Sequence, residues 1–462
     1  MTVSSERYTF RPMRLLFALL ALLLACPAAA APGLLSGPMA GHVTLRTAKV
    51  WLQADGPGTA QIELWRADEP QAKQRSAAVE LRANTDFATT FELVALEPGT
   101  RYEYRILLDG EPVALAERSF VRTQPLWRGR GEPPDLRVFL GSCAYVNDPP
   151  YDRPGPSYGG DYFIFGTIAA QARATPADHF MLWLGDNVYF REVDYEGPWG
   201  MSDRWRRHRA LPALQPLLAA TPHYAIWDDH DYGPNDANRS FVFKGTALAL
   251  FQRYWANPSH GLPGVPGIFT AFSYLDADFF LLDDRWYRST DRAVDDAERT
   301  MLGRAQIDWL KQALTASIAT FKFVANGSQL MNDAIRYEGW HNYPQERAEF
   351  LDWLTRQGVK GVIFLSGDRH HTELLRRERA GSYPLYELTC SPLTSGARPH
   401  DDEKDNPLRV PGTVVMGARN FCTLDLTGTR SERRVVFRAF AADGRELWTH
   451  EVHADMLRAS PR

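Results

Sequence analysis

Four short apolar runs in this chain each end in a loop of residues that can bind cations. Arg137-Val-Phe-Leu140 runs into Gly141-Ser-Cys143, and Phe180-Met-Leu-Trp-Leu184 runs into Gly185-Asp-Asn-Val-Tyr189. Tyr224-Ala-Ile-Trp227 leads to Asp228-Asp-His-Asp231, and Val362-Ile-Phe-Leu365 to Ser366-Gly-Asp-Arg-His-His371. Short continuous apolar runs alternating with helical patterns argue for a β-rich α/β core. In open α/β sheets, sites form outside the carboxyl ends of the strands, so these loops are expected to converge. A single Gly-Asp after a strand is usually a cap or turn, a reading that four such loops in one chain strain.

The donor set has a chemistry. Carboxylate, phenolate and thiolate suit trivalent iron and divalent cations, and imidazole completes a mixed site. Acids packed this closely without a cation would have their pKa values driven up by like-charge repulsion. A Gly ahead of a donor lets the strand end turn sharply.

The rest of the chain sets the context. At roughly 150 residues per domain, 462 residues allow about three domains or two unequal ones. With 44% hydrophobic and 23% charged residues the chain is globular, and a net charge of −4 leaves no global basic field for nucleic acid. The apolar run Leu15–Cys26 falls short of the about 20 residues a membrane span needs. With Arg11 and Arg14 before it and Ala28-Ala-Ala30 after it, residues 1–30 read as an export signal. Leu23-Leu-Ala-Cys26 offers a rival reading, a lipobox whose lipidated Cys26 would anchor the protein to a membrane. The expected location is therefore the periplasm or the extracellular space, as a free protein or a lipoprotein. If Cys26 leaves with the signal, three of the four cysteines remain; Cys390 and Cys422 are candidates to pair, a matter of distance that sequence leaves open.

Residues 37–126 alternate like a small antiparallel sandwich, and Leu96-Glu-Pro-Gly-Thr-Arg-Tyr102 resembles the tyrosine corner of fibronectin-like domains. Arg128–Pro134 has linker composition, and residues 135–455 form the second expected domain. Ile307, Leu310 and Leu314 mark one helix there; Phe350, Leu351 and Leu354 mark another, stopped by Gly358. Residues Arg434–Phe440 and Leu447–His450 read as a closing hairpin.

In this order after a small β domain, GSC, GDNVY, WDDHD and SGDRHH resemble the PhoD-like alkaline phosphatases, a branch of the calcineurin-like metallophosphatases. The resemblance covers about residues 37–450. It implies an α/β fold with a metallophosphatase-type β-sandwich core flanked by helices. It also implies a centre of Fe(III) with Ca²⁺, or another divalent metal, that hydrolyses phosphate esters through an activated water. By the same resemblance Cys143 and Tyr189 are iron ligands, Asp186 bridges the metals, Asp229 holds the second metal, and Asp368 and His370 form a late ligand pair. His230 corresponds to a phosphate-contacting His and is the candidate general acid, against a structural role beside its carboxylate neighbours. The chain departs from the family pattern at Asp231, where Glu is usual, and at Arg369 and His371.

Several residues keep two readings. Arg285 and Arg288 hold substrate oxygens or form surface salt bridges. Asn326 and Gln329 end a further apolar run and would orient water or ligand. Tyr254 and Trp255 read as core. The basic run around His208, Arg204–Arg209, reads as a solvated helix face, with a lid as the alternative. The expected substrate is a small-molecule or lipid phosphate ester, with no nucleic-acid partner and no transmembrane helix. A phosphodiesterase at the same centre, phospholipids included, is the nearest rival. A non-catalytic binding protein that keeps metal for stability is the rival from another class.

Overall fold

A computed structural model of the chain describes residues 1–2, 31–116, 119–292, 299–334, 336–399 and 403–458. Residues 3–30, which hold nearly all of the expected export signal, the alternative lipobox and Cys26, lie outside the described residues, among which no helix is long and apolar enough to cross a membrane.

The described part of residues 31–125 is built of β-strands with one short 3-10 turn, Ala83–Thr85. Leu34–Val43, Ala48–Ala54 and Ala88–Leu93 make a three-stranded sheet, and a second sheet is built on Gly58–Arg66 and Arg101–Leu108. Val50, Leu52, Ile62, Phe91 and Ile106 fill the space between them. The tyrosine corner is present: the Glu97 N–H donates to Tyr102 Oη at 2.8 Å.

Beyond the linker, two sheets face each other. The first has spatial order His223–Ile226, Asp178–Leu184, Leu136–Gly141, Asn420–Thr427, Arg434–Ala441, Glu446–His453, and its first three strands are parallel. The second sheet has seven strands, with Ala277–Leu281, Phe321–Ala325, Val362–Ser366 and Leu385–Thr389 running parallel through it. Phe180 of the first sheet meets Phe279 of the second with ring centroids 5.1 Å apart, and Tyr386 meets Phe437 at 6.5 Å. Such buried rings contribute beyond their area, so the seam is a true core. Cys390 and Cys422 join the sheets as a disulfide with Cα atoms 6.1 Å apart. Helices Phe163–Ala174, Pro198–Arg209 and Lys244–Tyr254 flank the core, together with Arg304–Ala316 and Pro344–Gln357. The last two carry the expected faces, Ile307/Leu310/Leu314 and Phe350/Leu354, and the second stops at Gly358 in the left-handed region.

Three of the four apolar runs are thus parallel neighbours in one sheet, while Val362–Ser366 belongs to the other. Their ends meet because Gly367 has no side chain: a Cβ there would lie 2.3 Å from Leu184 O and 2.7 Å from Ser142 Cβ. Any other residue at this position would push the fourth loop away from the first two.

The basic run does not form a solvated face. Arg204, His208 and Arg209 are buried, since helix Pro198–Arg209 lies on the core through Met201, Arg204, Trp205 and His208. Arg204 Nε donates to Asp194 at 2.7 Å, and the Arg209 guanidinium sits 3.9 Å from the Trp255 ring centroid. Tyr254 and Trp255 are core, as expected.

His223 gives a testable electrostatic consequence. Trp183 Nε1–H lies 2.9 Å from its Nδ1 and Leu217 O lies 3.0 Å from its Nε2, the pairing of a neutral ring with Nε2 protonated. Burial pushes its pKa from 6.5 down to about 3. The unfolded chain therefore binds the extra proton first, and stability falls as pH drops from 6.5 toward 3. At pH 5 this one residue is expected to cost about 2 kcal/mol. Thermal melting of the protein and of His223→Gln at pH 7 and pH 5 checks it, because the variant lacks this share of the acid loss.

Candidate metal centre

The four strand-end loops converge. Cys143 Sγ lies 3.6 Å from Asp186 Oδ2, and Tyr189 Oη donates to the same oxygen at 2.9 Å. His370 Nε2 is 3.3 Å from Tyr189 Oη. Two donor groups share Asp186: Cys143/Asp186/His370 and Asp186/Asp229/His230, each with ligand atoms within 4.8 Å of one another. Asp368 faces them with Asp228 and Glu338 in a third such group. Every metal-ligating candidate read from the sequence (Cys143, Asp186, Tyr189, Asp229, Asp368, His370) lies in this cluster, and His230 lies in it too.

The local backbone is bent to bring them there. Cys143, Asp186, Asp368 and His370 adopt positive φ of 59°, 53°, 63° and 54°. Non-glycine residues in that region cost of order 1–3 kcal/mol each and persist where the surroundings over-determine them. Asp231 is the scaffold of the second loop: its Oδ1 accepts from Asn187 N and Asn187 Nδ2, both at 3.0 Å, and its Oδ2 accepts from Asp228 N at 3.0 Å.

The electrostatics favour protons or a bound cation on this cluster. Burial, reinforced by Asp229, Asp231 and Asp368, holds Asp186 well above the usual carboxylate range. Burial pushes Asp368 up to about 7 and lifts both the Cys143 thiol and the Tyr189 phenol. Burial acts upward on Asp229 too, but His230 and Arg285 beside it outweigh that and hold it at about 2. Asp229 Oδ1, Asp368 Oδ2 and His230 Nδ1 are buried with no hydrogen-bond partner. Each of these carboxylate oxygens has a guanidinium no nearer than 4.0 Å, and buried anionic oxygens without a hydrogen bond are costly unless a cation or protons satisfy them, so the residues present fit a bound metal.

Above the cluster opens a cavity of about 570 Å³, lined by Asp186, Asp229, His230, Asp368 and His370 among others. The His230 ring packs on Tyr189 with centroids 4.2 Å apart. Arg285 does not stand on the cavity wall. It is fully buried behind it, paired with Asp228 and Glu338, and Arg288 Nη2 donates to Glu338 Oε2 at 2.8 Å. The surface salt-bridge reading of both arginines is therefore overturned. Asn326 Nδ2 donates to Ser328 O at 2.8 Å, and Gln329 Nε2 to Glu373 Oε1 at 2.9 Å; both amides brace the interior. His371 and Arg369 are braces as well: His371 Nε2 lies 3.3 Å from Glu373 Oε1, and Arg369 pairs with Glu403.

Sequence reasoning missed Glu338, which reaches the cluster from a stretch with no strand or helix period, and the arginines around the cavity mouth, which lie in similar loops. Neither is announced by a strand-end signature.

Two facing sheets whose strand ends gather thiol, phenol, carboxylate and imidazole define a metallophosphatase-type fold. The chain belongs to the PhoD-like phosphatase family, whose profile it matches over residues 142–427. A domain of unknown function (DUF7800) matches residues 31–125. A solved structure described as PhoD superposes with a TM-score of 0.73 at 18% identity, covering 93% of this chain and 90% of that one. A purple acid phosphatase from yellow lupin (Lupinus luteus) seeds superposes with a TM-score of 0.61 at 11% identity, covering 92% of this chain and 75% of that one. Alkaline phosphatase D of Bacillus subtilis (strain 168) is 26% identical over a stretch that covers 36% of this chain and 34% of that protein. The match thus spans about a third of that relative's length.

Proposed function

We propose that this protein is an exported, metal-dependent hydrolase of phosphate esters. The observation that carries the reading is Asp186, shared by two donor groups beneath an open cavity, with orphaned oxygens of Asp229 and Asp368 beside it. Cys143, Tyr189, His370 and Asp186 would hold Fe(III). Asp186 and Asp229, with Asp368 opposite, would hold Ca²⁺ or another divalent ion, in keeping with the oxygen-rich second group. Bound cations would supply Lewis-acid charge stabilisation and a water acidic enough to attack at neutral pH. His230, on the cavity surface, presents its ring to the leaving group and is the proton donor. Arg285 acts through its neighbours, fixing Asp228 and Glu338 behind the wall. The Cys390–Cys422 bridge supports export, since disulfides persist in oxidising compartments. Residues 37–126 and 135–455 are the two domains we assign, in line with the separate family matches.

The reading is tested by elemental analysis of protein from its native compartment together with a screen of phosphate mono- and diesters. Stoichiometric metal with turnover is expected; turnover in metal-free protein counts against it. Tyr189 adds a spectroscopic signature. A phenolate on Fe(III) has a filled oxygen orbital close in energy to half-filled iron d orbitals, so the isolated protein is expected to be coloured. Tyr189→Phe is expected to shift or bleach the visible band while iron stays bound. A colourless, active protein holding only Zn²⁺ or Mg²⁺ would exclude iron from the centre.

A further inference from the structure

The cavity is acidic at its floor and basic at its rim. Asp186 and Asp229 are 1% and 3% exposed, whereas Arg292, Arg336 and Arg398 are exposed at the mouth. Arg369 is committed to Glu403, and Arg299 Nη1 donates to Asn342 O at 3.4 Å. Among the described residues, Arg292, Arg336 and Arg398 form no ion pair. Asp291 is the nearest rim carboxylate in sequence and accepts from Asn342 Nδ2 at 3.4 Å.

Guanidinium groups stay charged at any working pH, are weakly hydrated and match phosphate with a planar fork of donors. Three such groups with no ion pair among the described residues, set against the exposed carboxylates of Asp236 and Asp291 on the same mouth, leave it with an excess of positive charge that concentrates anions there. A cavity of about 570 Å³ is larger than one phosphate needs, which leaves room for a substrate that reaches from the floor to the rim. Tyr337 also lines the cavity, 51% exposed and backed by the Arg369 guanidinium 4.8 Å from its ring centroid, and offers an apolar face to a short organic group.

We infer that Arg292, Arg336 and Arg398 form a second anion subsite, and that the preferred substrate is a phosphate ester whose leaving group carries a further phosphate. This rests on the ester-hydrolase reading above. The acidic floor and the basic rim thus divide the labour: one phosphate is placed for hydrolysis and the other is held about a cavity's depth away.

The test uses the protein as purified with its metal and two esters with the same carbon chain, 4-hydroxybutyl phosphate and butane-1,4-diyl bisphosphate. The bisphosphate is expected to show a kcat/KM at least about tenfold higher, beyond the factor of about two that its equivalent ends give. The ratio should shrink as salt rises, because exposed charges are screened, and should fall toward about two in Arg336→Gln/Arg398→Gln. Circular dichroism and melting of the variant show that it is folded. A ratio near two in the unmodified protein, or a full ratio kept in the double variant, overturns the subsite while leaving the hydrolase reading standing. No turnover of either monoester overturns the subsite; turnover of a phosphate diester by the same preparation then keeps the hydrolase reading, and its absence overturns that as well.

Discussion

Asp186→Asn is expected to lower turnover of phosphate esters by at least about 10²-fold, with Asp368→Asn close behind. Asp186 is common to two donor groups, and its Oδ2 lies within 3.6 Å of Cys143 Sγ and 2.9 Å of Tyr189 Oη. An amide keeps the shape but offers one neutral oxygen where the proposed centre would need a charged carboxylate common to both donor groups. The fold should survive. Asn tolerates the positive φ that Asp186 adopts, and the substitution removes a buried like charge facing Asp229, Asp231 and Asp368. Metal-free Asp186→Asn is therefore expected to melt no lower than the metal-free parent. Metal content, turnover and melting on the same preparations check this; near-normal turnover with metal retained would sink the assignment of Asp186.

His230→Ala is expected to separate substrates by their leaving groups. An alkoxide needs a proton as it departs, and a positioned donor is worth about 10²–10⁴-fold, whereas 4-nitrophenolate leaves without one. Losses in that range are expected on alkyl phosphates, with a much smaller loss on 4-nitrophenyl phosphate. Each factor of ten is about 1.4 kcal/mol of barrier. The imidazole lines the cavity and packs on Tyr189 with ring centroids 4.2 Å apart; burial lowers its pKa, and the Asp229 carboxylate beside it works the other way by favouring the protonated ring. Equal losses on both classes of ester would instead make His230 a ligand or a binder of substrate.

Much of this was legible because strand-end chemistry is local. Cys143, Asp186 and Asp229 each follow a short buried run of one sheet, so one parallel-sheet argument brings them to one edge, and Asp368 follows such a run in the facing sheet. The helices at Arg304–Ala316 and Pro344–Gln357 were legible for the same reason, an apolar stripe with a Gly stop on the second. What sequence could not carry was burial of charge. Arg285 reads as a substrate clamp or a surface pair, yet it is fully buried between Asp228 and Glu338, and only three-dimensional packing reveals two carboxylates from distant loops at one guanidinium. The basic run misleads in the same way: Arg204 and Arg209 look solvated one by one, but Asp194 and the Trp255 ring take them inward. That the fourth loop comes from a facing sheet turns on Gly367, where the close approach is invisible in one dimension. The Cys390–Cys422 pair was likewise a question of distance.

The central claim, metal-dependent ester hydrolysis at the Asp186 cluster, is tested most directly by one titration. Hydrolysis of 4-nitrophenyl phosphate is followed in a single preparation before chelation, after chelation with metal content measured, and during stepwise return of Fe(III) and Ca²⁺. Activity is expected to fall in proportion to metal removed and to return with metal restored, with Asp186→Asn showing no such return. Activity that persists in protein stripped well below one metal per chain would contradict the claim.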